Sequence, residues 1–95
     1  MKTEDRNRKS AWKAQQRQEA QSAFPHSNAL LESLFESVET RVDSEGCDHT
    51  YRFTSEWLSD HELPSTAVLE WLAEHGGFCD CEVVANARDH WEQNK

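Results

Sequence analysis

Two short stretches, "GCDHTYRF" at 46–53 and "GGFCDCEVV" at 76–84, hold every cysteine of this 95-residue chain. Read for their chemistry, they are a C-x-H pair, Cys47 and His49, and a C-x-C pair, Cys79 and Cys81. Three thiolates and one imidazole suit structural zinc, which takes four tetrahedral nitrogen and sulfur donors. Soft sulfur also suits copper(I) or iron. A disulfide between Cys79 and Cys81 would close a very small, strained ring, and an odd cysteine count does not make a disulfide framework. Two other uses of these residues stay open. The thiols can act as small buried hydrophobes with His49 capping a turn, or one of them can serve as a reactive thiolate. The pairing of C-x-H with C-x-C is less diagnostic than a repeated C-x2-C at zinc-finger spacing.

Residues i and i+2 share a face only where the backbone is extended or tightly turned; on a helix they point about 200° apart. Each pair therefore needs a strand or a turn to converge. "HTYRFT" (49–54) alternates Tyr51 and Phe53 against Thr50, Arg52 and Thr54, the pattern of a short strand. "CDCEVVAN" (79–86) reads as a second strand, with the β-branched Val83 and Val84 behind a glycine pair. A parallel pairing of the two would gather all four ligands at one end. The alternative for the second stretch is a helix start, with Asp80 as cap and Val83, Val84, Ala87 and Trp91 as its stripe. Asp48 and Asp80, in the middle of each pair, project to the opposite side and read as capping or solvated groups. Gly46, Gly76 and Gly77 permit tight turns around sulfur.

The remaining elements are helical. Ser27 caps "NALLESLFESVETRV", whose Leu30, Leu31, Leu34, Phe35, Val38 and Val42 form the clearest amphipathic stripe, and "DSEG" ends it near Gly46. Thr54 caps "SEWLSDHEL", which stops before Pro64; Ser65 caps "TAVLEWLAEH", with Val68, Trp71 and Leu72 inward and the glycine pair behind. The likeness of "EWLSDH" to "EWLAEH" spans one turn and marks two helices with similar needs rather than a solenoid. A short helix ending near Gln93 closes the chain. The expected fold is therefore α+β: a mainly helical small domain with a short two-stranded β element beside the cysteine and histidine cluster.

Charge divides the chain at Phe24. Residues 1–24 carry six cations against three carboxylates, net +3, and residues 25–95 carry four against fifteen, net −11. This gives a polar basic N-terminal arm, 1–24, and a single small acidic domain, 25–95. The arm is a marginal helix, solvated or docked through Trp12. The acidic body is a poor match for nucleic acid or anionic lipid, and only the arm offers weak attraction. No apolar run is long enough to span a membrane, and the N-terminus lacks a secretory h-region, so the expected location is cytoplasmic. His61 and His75 lie near helix C-termini, where the dipole favours a cation, and His26 and His90 read as solvated. Trp57 and Trp71 read as core, Trp12 and Trp91 as docking anchors or a partner surface. No catalytic triad signature, P-loop, nucleotide-binding glycine motif or zincin motif is present.

The two stretches also resemble a family of small bacterial proteins known only as domain of unknown function 2695. There a Cys-Asp-His-Thr phrase precedes a Trp-Leu helix, and a second Trp-Leu helix leads into Gly-Gly-aromatic-Cys-Asp-Cys-Glu-Val. Cys47 to Thr50, Trp57, Leu58, Trp71, Leu72 and Gly76 to Val83 match it, with Val84 where a leucine is expected. The resemblance brings no established activity, but implies that both phrases belong to one domain. The expected function is a metal-binding protein, with Cys47, His49, Cys79 and Cys81 holding a structural zinc, that serves as an interaction module for a protein partner. Alternatives are an acidic inhibitor or immunity-type protein for a basic partner, and a thiol redox protein.

Overall fold

The structure, a computed structural model, describes residues 2–95, with side chains from Trp12 onward. Helix α2 (Asn28–Glu45) is built as its stripe requires. The Ser27 hydroxyl accepts the Leu30 N–H at 3.3 Å, and Leu31, Leu34, Phe35 and Val38 are buried. The helix ends at Gly46, which has φ 79° and donates its N–H to Val42 O at 2.8 Å.

Helices α3 (Arg52–Asp60) and α4 (Ser65–Glu74) end alike. After α4, Gly76 adopts φ 82°, its N–H bonds Ala73 O at 3.1 Å, and the Gly77 N–H reaches back to Leu72 O at 2.8 Å. After α3, Glu62 takes the same left-handed conformation at φ 55°, and Leu63 N–H reaches Leu58 O at 2.9 Å. Both are Schellman endings, which satisfy carbonyls that a helix terminus leaves unpaired. The repeated tryptophan and histidine have matching roles. His61 stacks on Trp57 at 3.9 Å between ring centroids, and His75 meets the edge of Trp71 at 5.4 Å.

Neither expected strand forms, and among the described residues there is no β-structure. The fold is all-helical, not α+β. Arg52, Phe53 and Thr54 are the first turn of α3. Phe53, Thr54, Trp57 and Leu58 are buried at helical spacing, so the Tyr51/Phe53 alternation spanned too few residues to decide the period. The second stretch follows the alternative reading. α5 (Asp80–Glu82) runs through a π-helical turn (Val83–Ala87) into α6 (Arg88–Asn94). Val83, Ala87 and Trp91, spaced by four, are all buried. The π turn faces Gly77, where an added Cβ would lie 3.2 Å from Val83 Cγ2 and 3.3 Å from Ala87 Cβ. Trp91 is core, not a docking anchor: it is 2% exposed, and its indole N–H donates to Asn28 Oδ1 at 3.1 Å.

The described side chains of helix α1 (Lys2–Ser22), from Trp12 onward, lie outside this core. It is tied at its C-terminal end, where the Gln21 amide donates to Asn94 O at 2.7 Å and Phe24 packs edge-on against Trp71 at 5.6 Å. Trp12 is 59% exposed, so of the two readings of the arm the solvated one holds at that residue. No described helix is long and apolar enough to cross a membrane.

His90 is not free in solvent. Its ring stacks on His75 at 3.6 Å and 8°, with Trp71 and Phe24 at its edges. Burial and the neighbouring His75 lower its pKa, and Asp89 offsets part of this. The unfolded chain therefore takes this proton first. The contribution of His90 to stability is complete above the ordinary imidazole range, about 6.5, and is lost as pH falls through it toward the lower folded value. Urea midpoints measured between neutral pH and about pH 5 are expected to fall, and His90→Gln is expected to flatten that slope. Equal slopes in the two proteins would remove His90 as the cause.

Candidate metal centre

The loop from Gly46 to Tyr51 and the loop from Gly76 to Cys79 are brought together by bonds that do not involve a metal. The Asp80 N–H donates to Thr50 O at 3.0 Å, and the Tyr51 hydroxyl donates to Gly77 O. The buried Asp80 carboxylate accepts the Phe53 N–H at 2.9 Å, the Thr54 N–H at 3.1 Å and the Thr54 hydroxyl at 2.7 Å. Helix α3 has no side-chain cap of its own at Tyr51. Asp80, 27 residues on from Phe53, takes that part and satisfies two of the N–H groups that a helix start leaves open.

Sequence spacing placed Asp80 opposite the two cysteines it separates, and it does point away from them, into the core. Its capping role belongs to a remote helix, and neither it nor Tyr51 was expected to join the two loops. The absent local cap on α3 is the signal that could have found it, but only once α3 is known to start at Arg52.

This clamp brings all four expected residues together. The sulfurs of Cys47, Cys79 and Cys81 and an imidazole nitrogen of His49 lie within 4.8 Å of one another. Cys79 Sγ and Cys81 Sγ are 3.3 Å apart, and all three cysteines are free. In a tetrahedron with Zn–S bonds of about 2.3 Å, sulfurs stand about 3.8 Å apart, so the cluster is close to the size a metal requires. The cluster could hold a metal ion.

Strands do not achieve the convergence. Cys79 is the extended residue before α5, at φ −152° and ψ 171°, and Cys81 lies in the first turn behind it. On the other side, the Asp48 carboxylate accepts the Thr50 N–H at 3.1 Å and the Thr50 hydroxyl, which closes a tight turn with His49 at φ 66°.

The thiols differ in environment. Cys79 is buried, Cys47 and Cys81 are half-buried, and His49 is exposed. Burial pushes the Cys79 thiol up to about 12, helped by the neighbouring sulfurs and opposed by the Glu82 N–H. For Cys47, burial acts in the same direction but is outweighed. The N–H groups of Cys81, at 3.4 Å, and His49, at 3.3 Å, point at its sulfur and bring the thiol below its ordinary value. Cys47 thus loses its proton more readily than an ordinary thiol, and Cys79 gives its own up only to a strong competitor such as a metal. The other histidines lie outside the cluster: His61 stacks on Trp57, and its Nδ1 lies 2.8 Å from Trp57 O.

An all-helical fold with a cluster of three cysteines and one histidine clamped between two loops is the class of protein that the geometry defines. The chain belongs to the family described as protein of unknown function (DUF2695), whose model matches residues 34–86 and so takes in all four cluster residues. It is similar to uncharacterized protein Mb2294 of Mycobacterium bovis and uncharacterized protein Rv2271 of Mycobacterium tuberculosis. Each is 41% identical over 56 residues, 59% of this chain and 57% of the relative. The chain therefore spans just over half the length of the curated relatives it matches. No solved structure matches it.

Proposed function

We propose that this chain is a zinc protein in which Cys47, His49, Cys79 and Cys81 bind one ion, and that residues 25–95 act as an interaction module for a protein partner, with residues 1–24 as an appended arm. The observation that carries this reading is the convergence of four donor atoms within 4.8 Å from two loops held together by Asp80 and Tyr51. Zinc is favoured over other ions because the donors are three sulfurs and one nitrogen. A reducing, cytoplasmic location suits free thiols of this kind. A redox role at Cys79 is disfavoured, because a thiol pushed up to about 12 is a poor nucleophile at neutral pH.

Native mass spectrometry of untagged protein is expected to find one zinc per chain, absent from the variant carrying Cys79→Ser and Cys81→Ser. A folded, metal-free wild type would sink the reading. The net charge of −11 on residues 25–95 would then favour an acidic inhibitor or immunity-type protein, recognised by a salt-sensitive complex with a basic partner that survives loss of the cysteines. Nucleic acid is the weaker partner, restricted to the arm.

A further inference from the structure

On the reading that the cluster binds a metal, its four ligands are not equivalent. The three sulfurs are fixed from behind. Cys79 and Cys81 flank Asp80, which is held in the core by three hydrogen bonds, and Cys47 Sγ accepts two backbone N–H groups. His49 is held through its backbone alone, by its N–H to Cys47 Sγ and the Asp48–Thr50 turn around it. It is exposed, and its φ of 66° lies in the left-handed region, which costs an ordinary side chain energy. Among the described residues no group hydrogen-bonds its ring. A histidine that ligates a metal permanently almost always donates its second ring N–H to a carboxylate or carbonyl, which fixes the ring's orientation.

We infer that His49 is an exchangeable ligand, so that the centre is a three-thiolate metal site with one position open to an external neutral nitrogen donor of the imidazole class. When His49 leaves, its metal–nitrogen bond breaks, the incoming nitrogen forms the new one, and no proton or electron is transferred. The selectivity follows from charge. A divalent ion held by three thiolates is already net negative, and the Glu82 carboxylate lies 3.5 Å from Cys79 Sγ. A further anion is repelled there, whereas a neutral imidazole is not.

Cobalt(II) is the probe, because its visible bands report coordination. Wild-type protein and the His49→Ala, Cys79→Ser and Cys81→Ser variants are titrated with cobalt(II), and the loaded proteins then receive excess imidazole or excess 2-mercaptoethanol. His49→Ala is expected to bind cobalt(II) within about 100-fold of wild type. Each cysteine variant is expected to lose far more than that. Imidazole should restore the wild-type bands to His49→Ala and, in loaded wild type, give paramagnetically shifted proton signals of bound imidazole without moving the bands, because one imidazole replaces another, while 2-mercaptoethanol leaves both proteins unchanged. If His49→Ala loses cobalt(II) as completely as Cys79→Ser, and imidazole gives no bound signals in wild type and no rescue of the variant, the exchangeable ligand is refuted while the four-ligand site stands. If 2-mercaptoethanol shifts the bands of His49→Ala and imidazole does not, the assigned donor class is refuted. If wild type takes up no cobalt(II), both the site and the inference fall.

Discussion

Replacing Asp80 by alanine is expected to lower the unfolding free energy of the metal-free protein by about 3–5 kcal/mol, read from urea denaturation. The carboxylate is fully buried and accepts from the Phe53 N–H, the Thr54 N–H and the Thr54 hydroxyl. Alanine leaves three donors in a site with no room for compensation except by water. A buried polar group stripped of its partner costs about 1–3 kcal/mol, and the three share one cavity, so their costs do not simply add. Thr54→Val removes only the hydroxyl and is expected to cost about 1 kcal/mol. Asp80→Asn keeps the shape but turns an NH2 toward one of the two backbone N–H groups, and should fall between them. The effect should also reach the cluster. Cys79 and Cys81 are the chain neighbours of Asp80, so metal affinity in Asp80→Asn should drop about 10–100-fold, as for other groups that orient ligands without touching the ion. A loss under about 1 kcal/mol in Asp80→Ala would mean that Asp80 does not hold the two loops together.

That residue also shows how much was legible beforehand. The stripe of α2 and its Ser27 cap, the glycine ending of α4 and the four members of the cluster follow from residue types and short-range spacing, and each recurs in the structure. The strands failed for a physical reason. Convergence of i and i+2 needs extended or tightly turned backbone, and whole strands are not required for it: one extended residue at Cys79 followed by a helical turn does it for one pair. An Asx-type turn with His49 at φ 66° does it for the other. Within six residues, Tyr51 and Phe53 fit a strand as well as a helix, and only the later placement of Phe53 beside Trp57 and Leu58 in the core decides. Asp80 was beyond reach because its partners lie 26 and 27 residues away, and short-range spacing carries no information about such a pair. Trp91 reads as an anchor on the strand reading but as part of the stripe on the helical alternative, and His90 reads as solvated because it stands near the chain's end. Burial instead follows their four-residue and three-residue steps from Ala87, which carry them into the core and onto His75.

Saturating zinc is expected to stabilise the wild-type protein by about 4 kcal/mol when the free ion stands at roughly 1,000 times its dissociation constant. In a chain of this size that corresponds to a rise in Tm of more than about 10 °C. The increment is large relative to the core because a small domain has little buried surface to draw on. It should vanish in the variant carrying Cys79→Ser and Cys81→Ser, which removes one whole side of the cluster. It should survive in large part in His49→Ala if the imidazole is the exchangeable ligand. The apo fold should persist without zinc, unlike that of a zinc finger, because Asp80, Tyr51 and the cluster of Leu34, Phe35, Trp71, Val83 and Trp91 join the same elements independently. Proton release provides a second readout. Burial holds the Cys79 thiol at about 12, so zinc binding at neutral pH must expel its proton. Calorimetry in buffers of different ionisation enthalpy will register that release, and the apparent zinc affinity should weaken as pH falls, since protons then compete for the same sulfurs. Zinc stabilisation with no proton release and no dependence on Cys79 would place the ion elsewhere on the acidic surface, and the two loops would then be joined by Asp80 and Tyr51 alone.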